Sequence, residues 1–151
     1  GAADGTVRFW NTFADAGVGE VAGVGYHASL SGASFGRGLA VDRVGTLFTG
    51  GLDGTVRCLE PRSGALRWQR QFPHWINAVV SLPDGGDVLV TWHDRLQRLA
   101  AADGRPIGAS LPTGMAYVRR MVVGSDEGRC ALLDDAGQVA LVDLRSGAVL
   151  G

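Results

Sequence analysis

Residues 53–59, Asp-Gly-Thr-Val-Arg-Cys-Leu, decide the fold, because residues 4–10 carry nearly the same run, Asp-Gly-Thr-Val-Arg-Phe-Trp. Weaker copies begin at positions 93 and 136, so the successive spacings are 49, 40 and 43 residues. A second turn marker keeps the same spacings of 40 and 43 residues: Ser63-Gly64, Asp103-Gly104 and Ser146-Gly147. Two markers that share one period indicate a repeat architecture.

Each repeat contains short strands separated by tight turns. In the clearest copy, apolar runs at 38–41, 46–49 and 55–59 are separated by the turn sequences Asp-Arg-Val-Gly and Gly-Leu-Asp-Gly. Such a rhythm is typical of antiparallel hairpins, and 24 scattered glycines argue against long helices. Four short strands in a period of about 40 to 45 residues suit a propeller blade. The predicted fold class is therefore all-β, a β-propeller segment of four-stranded antiparallel blades.

The repeat also predicts how the chain is divided. We expect the outer strands of a partial blade and a loop at 1–33, then blades at 34–73, 74–114 and 115–151, about three and a half blades in all. Closed propellers use about four to eight blades, and an open arc exposes strand edges. Because the chain also begins at Gly1 rather than Met, we expect further blades of a longer protein to complete the ring. A homodimer is the alternative if the chain is complete.

Composition narrows the class of partner. The chain is 46% hydrophobic and 19% charged, and its 14 basic and 15 acidic residues leave a net charge of -1. Such a charge provides no field for nucleic acid or anionic membranes, so neither is expected as a partner. Two distant cysteines, no apolar run of membrane-spanning length and no signal-peptide pattern predict a cytoplasmic protein. High Ala, Gly and Arg content without any Lys suggests a bacterial gene.

Residues 27–57, and especially 39–59, resemble a WD repeat in their apolar strand, Leu-x-Thr-Gly strand and Asp-Gly-Thr-Val strand. This resemblance implies a buried polar tetrad of His, Ser or Thr, Asp and Trp. In the fullest copy Leu59 stands where Trp is expected. The tetrad-like positions across the first two copies are His27, Thr49 and Asp53, together with Asp4 and Trp10.

A second propeller family resembles part of the chain. Residues 60–68, Glu-Pro-Arg-Ser-Gly-Ala-Leu-Arg-Trp, are similar to the Trp-docking motif of pyrroloquinoline-quinone-type repeats, in which Trp packs on a neighbouring blade. The motif occurs once, because the turns at Gly104 and Gly147 lack the matching Trp. No set of cofactor-coordinating residues accompanies it, so no cofactor is predicted. The resemblance leaves one alternative function, a portion of a quinoprotein-like enzyme propeller whose active residues lie outside this chain.

Motifs for other chemistry are missing from the sequence. The histidines at 27, 74 and 93 have no metal-ligand spacing, and Cys58 and Cys130 occupy repeat positions that packing explains. No phosphate-binding loop occurs in a chain that has no Lys. We therefore predict no catalytic residue and no metal, and a non-catalytic protein-interaction or sensor scaffold that forms the C-terminal part of a WD-repeat propeller.

Propellers bind partners where loops converge at the channel rim, and Trp and Arg are frequent in binding hot spots. Trp75, Trp92 and Arg119 are expected near one mouth of the channel rather than in the core between blades. The alternatives are that the tryptophans seal adjacent blades and that the arginines form a solvated strand edge. The candidate partner-binding residues are His74, Trp75, Trp92, His93, Arg119 and Arg120.

Overall fold

The computed structural model describes residues 36–150, and every regular element in that range is a β-strand. The first sheet contains β1 Gly36–Val41, β2 Leu47–Gly51, β3 Thr55–Leu59 and β4 Leu66–Gln71. The second sheet contains β5 Ile76–Ser81, β6 Asp87–Trp92, β7 Arg95–Ala100 and β8 Pro106–Pro112. The third contains β9 Val118–Val123, β10 Arg129–Asp134 and β11 Val139–Asp143. No helix in this range could cross a membrane.

Neighbouring strands pair antiparallel in chain order within every sheet. The first two sheets have four strands, as the repeat predicts. The third has three strands in the described range, and an isolated bridge between Val142 and Val149 stands where a fourth strand is expected. The all-β fold class is confirmed.

The second turn marker of the sequence is one turn used three times. Gly64, Gly104 and Gly147 have φ values of 66°, 71° and 74°, a region that side chains with a Cβ rarely occupy. Each glycine donates its N–H to the carbonyl four residues earlier, over 2.7, 2.8 and 2.8 Å. The repeated Gly therefore closes the hairpin between the third and fourth strands of a blade, and in the third sheet it leads from β11 to the Val142–Val149 bridge.

The sheets pack face to face. Phe48 and Cys58 of the first sheet share one apolar core with Ile76, Val90 and Trp92 of the second. The first and second sheets approach closely, since a Cβ added to Gly50 would lie 2.3 Å from Cγ2 of Ile76. A separate core joins the second and third sheets, and its buried members include Leu89, Leu96, Cys130, Leu132 and Val142. Each face of the second sheet is thus buried against a neighbour, as in a propeller.

The first strands of the three sheets lie side by side, because β1 contacts β5 and β5 contacts β9. Because neighbouring strands run in opposite directions, the turns and connections lie at two opposite ends of the sheets. We call the end with the connections 72–75 and 113–117 and the turn 93–94 the connection end. The turns 60–65, 101–105 and 144–148 lie at the other end, which we call the opposite end.

Candidate functional site

A pocket of about 100 Å³ opens at the connection end. Two segments that join sheets, one hairpin turn and β5 bring its side chains together from distant parts of the chain. We call this surface the aromatic–histidine patch, and its residues are His74, Trp75, Asn77, His93 and Tyr117.

The patch exposes large aromatic side chains beside two imidazoles. Trp75 is 42% exposed and Tyr117 is 44% exposed. The ring centroids of His74 and His93 are 5.0 Å apart, with the ring planes inclined by 30°. These rings offer apolar faces together with polar nitrogen and hydroxyl groups, a combination that suits protein recognition.

Hydrogen bonds beneath the patch hold its loops in place. The buried Asn77 amide donates to the carbonyls of His93 and Ala116, over 3.4 Å in both cases. Thr113 donates its hydroxyl to the Asp94 carbonyl over 3.0 Å, and Met115 donates its N–H to the Thr113 hydroxyl oxygen over 3.1 Å. The turn 93–94 and the connection 113–117 are therefore tied to each other and to β5.

The hairpin turn at the patch has two residues, His93 and Asp94, between the paired residues Trp92 and Arg95. His93 has φ of 46°, a conformation that His tolerates better than most residues. Its Nδ1 lies 3.1 Å from Oδ1 of Asp94. The hydrogen bond from His93 is the main reason that the pKa of the Asp94 carboxyl lies below its ordinary value, so Asp94 is a carboxylate at neutral pH.

The structure brings together three of the residues proposed from sequence, His74, Trp75 and His93. The expectation that Trp92 projects from the channel mouth is wrong. Trp92 is 8% exposed and belongs to the core between the first two sheets, with its ring centroid 4.6 Å from that of Phe72. It shares one face of β6 with Val88 and Val90, since alternate residues of a strand point the same way.

Arg119 and Arg120 are exposed on β9 and do not line the patch. They border a groove of about 210 Å³ along the first strands of the sheets. Nη2 of Arg119 lies 3.9 Å from Oδ2 of Asp135, near the connection end. Their role as contact residues stays a prediction.

Sequence reasoning missed Asn77 and Tyr117. The segment before β9 occupies the same place in its repeat as the segment before β5, and that positional equivalence is the one sequence signal that could have indicated Tyr117. Asn77 lies within β5 and is buried, so no surface pattern marked it.

The tetrad-like positions are only partly within the described range, because His27, Asp4 and Trp10 lie outside it. Thr49 is buried in β2. Asp53 accepts a hydrogen bond of 2.9 Å from the Thr55 N–H. Its Oδ2 also forms an ion pair with Nη1 of Arg57 over 3.0 Å. The tetrad itself stays a prediction.

Trp68 joins the first sheet to the second. Its indole Nε1 donates to the Ala101 carbonyl over 2.8 Å, and its ring centroid lies 6.0 Å from that of Phe48. A Cβ added to Gly104 would lie 2.6 Å from the Trp68 ring. The indole therefore rests on the turn 101–105, where only glycine leaves it room.

Comparison with known proteins agrees with this architecture. The model of a β-propeller repeat family, described as outer membrane protein assembly factor BamB, matches residues 2–151. The structure resembles Kuenenia stuttgartiensis hydrazine synthase with a TM-score of 0.68 and 16% sequence identity over 77% of this chain. The match spans only 36% of that chain, and such low identity supports the fold alone. No curated protein sequence matches significantly. The propeller fold is confirmed, whereas the WD type stays a prediction.

Proposed function

The chain belongs to the β-propeller repeat family described as outer membrane protein assembly factor BamB, and on that premise we propose that it is a non-catalytic scaffold that binds a protein partner. The proposed contact surface is the aromatic–histidine patch at the connection end. The description of the family as an assembly factor supports a scaffolding role over a catalytic one.

One observation carries the proposal. Trp75 and Tyr117 keep 42% and 44% of their surface exposed, side by side in one pocket lining with His74, Asn77 and His93. Tryptophan and tyrosine dominate binding hot spots because their large rings bury much area with few rotatable bonds. The hydrogen bonds of Asn77 and Thr113 hold the supporting loops in one conformation before a partner binds, so little conformational entropy is lost on binding.

The chemistry of the patch also suggests the kind of partner. Its pocket of about 100 Å³ is too small for a drug-sized ligand, since pockets that bind such ligands have volumes of about 300 to 1,000 Å³. A side chain from an exposed protein segment fits better. Both imidazoles are exposed and lie next to each other, so hydrogen bonds to that segment's backbone would fix its orientation.

Cross-linking from inside the patch tests the proposal. A photo-reactive phenylalanine analogue replaces Trp75 in the full-length protein in its native host, and a matched protein carries it at Val44. Val44 is 81% exposed in the β1–β2 turn at the opposite end. We expect a discrete protein adduct from position 75 and none of the same mass from position 44. The same adducts from both positions, or none from position 75, would contradict the patch as contact surface.

The alternative function is a portion of a quinoprotein-like enzyme propeller, and the resemblance of residues 60–68 to a quinoprotein repeat is what favours it. Adding pyrroloquinoline quinone and a dye acceptor to the full-length protein distinguishes the two. The scaffold proposal predicts no substrate-dependent dye reduction with alcohols or sugars. Steady turnover with the added quinone would overturn the non-catalytic part of the proposal.

A further inference from the structure

A second pocket lies between the second and third sheets toward the opposite end, away from the aromatic–histidine patch. Its volume is about 280 Å³. The walls are largely apolar and include Leu89, Leu96, Ile107 and Leu144, with Arg98 and Arg145 among the remaining lining residues.

The corresponding place between the first and second sheets is filled by the Trp68 indole. Strand pairing establishes the correspondence. Phe48 and Trp68 both pair with Cys58, on opposite sides of β3. In the second sheet, the residues that pair with Arg98 in the same way are Leu89 and Ile107. Leu89 therefore replaces Phe48, and Ile107 replaces Trp68.

The turn on which the Trp68 indole rests also has an equivalent in the third sheet. Trp68 rests on Gly104 and donates to the Ala101 carbonyl in the turn of the second sheet. Leu144 and Gly147 in the third sheet are three positions apart, as Ala101 and Gly104 are, and both Leu144 and Gly147 line the pocket. The turn 144–148 of the third sheet is therefore equivalent to the turn that holds Trp68. The strand that faces it, β8, supplies only Ile107.

The chain fills this space incompletely. Leu111 leans toward the turn, since a Cβ added to Gly147 would lie 2.8 Å from Cδ2 of Leu111. The pocket nevertheless remains, at a volume just below the range of about 300 to 1,000 Å³ for drug-sized ligands. It is large enough for one bulky side chain and small for a larger ligand.

We infer that this pocket binds a tryptophan side chain of a partner polypeptide that carries a carboxylate next to the tryptophan. The indole is favoured because the same fold already seats one at the equivalent place. The carboxylate is favoured because Arg145 lines the pocket and forms no ion pair within residues 36–150. The site extends the scaffold proposal with a second contact surface and does not depend on the patch.

Short capped peptides are the probes. Asp-Trp-Asp, Lys-Trp-Lys and Asp-Ala-Asp are titrated into the full-length protein, and methyl resonances report the position of binding. We expect Asp-Trp-Asp to shift the methyls of Leu89, Ile107 and Leu144. Lys-Trp-Lys should bind about two- to fivefold more weakly, as one partly exposed ion pair allows. Asp-Ala-Asp should not bind.

Three variants make the test specific. Ile107→Trp should fill the pocket from its own strand and abolish binding of Asp-Trp-Asp. Arg145→Gln should remove the preference over Lys-Trp-Lys yet retain indole binding. Arg62→Gln is the matched control, because Arg62-Ser63-Gly64 is the same turn in the first sheet, and it should change nothing.

Clear outcomes would overturn the inference. No methyl shift at millimolar Asp-Trp-Asp, equal binding of Asp-Ala-Asp, or shifts confined to the aromatic–histidine patch would each do so. If Ile107→Trp fails to fold, the wild-type shifts and the Arg145→Gln and Arg62→Gln pair still decide the question.

Discussion

Trp75 and Trp92 differ in what surrounds their indole rings. Trp75 is 42% exposed in the aromatic–histidine patch, whereas Trp92 is 8% exposed and packs on Phe72 in the core between two sheets. Trp75 therefore keeps part of its ring at the surface, whereas Trp92 contributes to the stability of the fold. Truncating each side chain should therefore affect different properties.

We expect Trp92→Ala to lower the free energy of unfolding by about 3 to 5 kcal/mol, the usual loss for a large buried aromatic. Trp75→Ala should lower it by less than about 1 kcal/mol, because surface substitutions have small effects. Urea unfolding of the two variants and the wild-type protein measures the difference. Similar losses in both variants would mean that Trp75 also serves as a seal between sheets.

The two cysteines are buried, and burial raises the pKa of the Cys58 thiol to about 11 and that of Cys130 to about 12, from an ordinary value of 9.0. Because the thiols ionise less readily in the folded state than in the unfolded state, they stabilise the fold. Their contribution is fully present below about pH 9. This contribution is lost as the pH rises toward 11.

Accordingly, the free energy of unfolding should decline between pH 9 and pH 11. The Cys58→Ala/Cys130→Ala double variant should lose less over the same range, although it starts lower because of the deleted sulfurs. Urea unfolding at pH 8, 9 and 10.5 gives the slopes. Parallel slopes for both proteins would show that the thiols do not titrate with these values.

Among the elements, the hairpin turn with a positive-φ glycine does more than reverse the chain. In the second sheet, Gly104 also provides the flat surface on which Trp68 rests. Gly137, in the β10–β11 turn, has a similar φ of 82° but nothing within 4 Å of an added Cβ. Substituting Gly137 therefore measures the cost of backbone strain alone, whereas substituting Gly104 adds the cost of a clash between sheets.

Gly137→Ala should lose about 1 to 2 kcal/mol of stability through left-handed strain alone. Gly104→Ala should lose about 1 to 3 kcal/mol more, because its Cβ would overlap the Trp68 ring. Combining Gly104→Ala with Trp68→Ala should recover part of that excess, as thermal unfolding in a double-mutant cycle would show. Strictly additive losses would contradict the contact.

Local sequence was enough to predict the strands because the turns are local. The marker glycines need a positive φ, and their regular spacing gave the blade period before any contact was known. The strand Asp87–Trp92 contains the continuous apolar run Val88-Leu89-Val90 and is buried from Val88 to Trp92, and such a run indicates a strand that is covered on both faces. Proximity to a turn outweighed it in our prediction, which explains the error.

The site was harder to predict than the strands. Its members come from two connections, one hairpin turn and β5, so they meet only when the second and third sheets pack. His74, Trp75 and His93 were found because each lies beside a strand end. Asn77 acts through hydrogen bonds to carbonyls 16 and 39 residues away, which no local pattern encodes.

At the scale of the whole molecule, the second sheet is the one on which the other two described sheets pack. It is packed on both faces, and its two ends present different surfaces. The connection end presents the aromatic–histidine patch, and the opposite end lies toward the pocket near Ile107 and Leu144. The two contact surfaces proposed above, at separate ends of one sheet, would suit a protein that holds partners in a fixed relation.

The affinity for the partner that cross-links from position 75 tests the central claim most directly. It is measured by calorimetry for the full-length wild-type protein, the Trp75→Ala/Tyr117→Ala variant and a Val44→Ala control. The account predicts that the patch variant binds at least about thirtyfold more weakly, corresponding to about 2 kcal/mol at a hot spot, while its melting temperature stays close to that of the wild type. Unchanged affinity in a folded patch variant, or an equal loss in Val44→Ala, would contradict it.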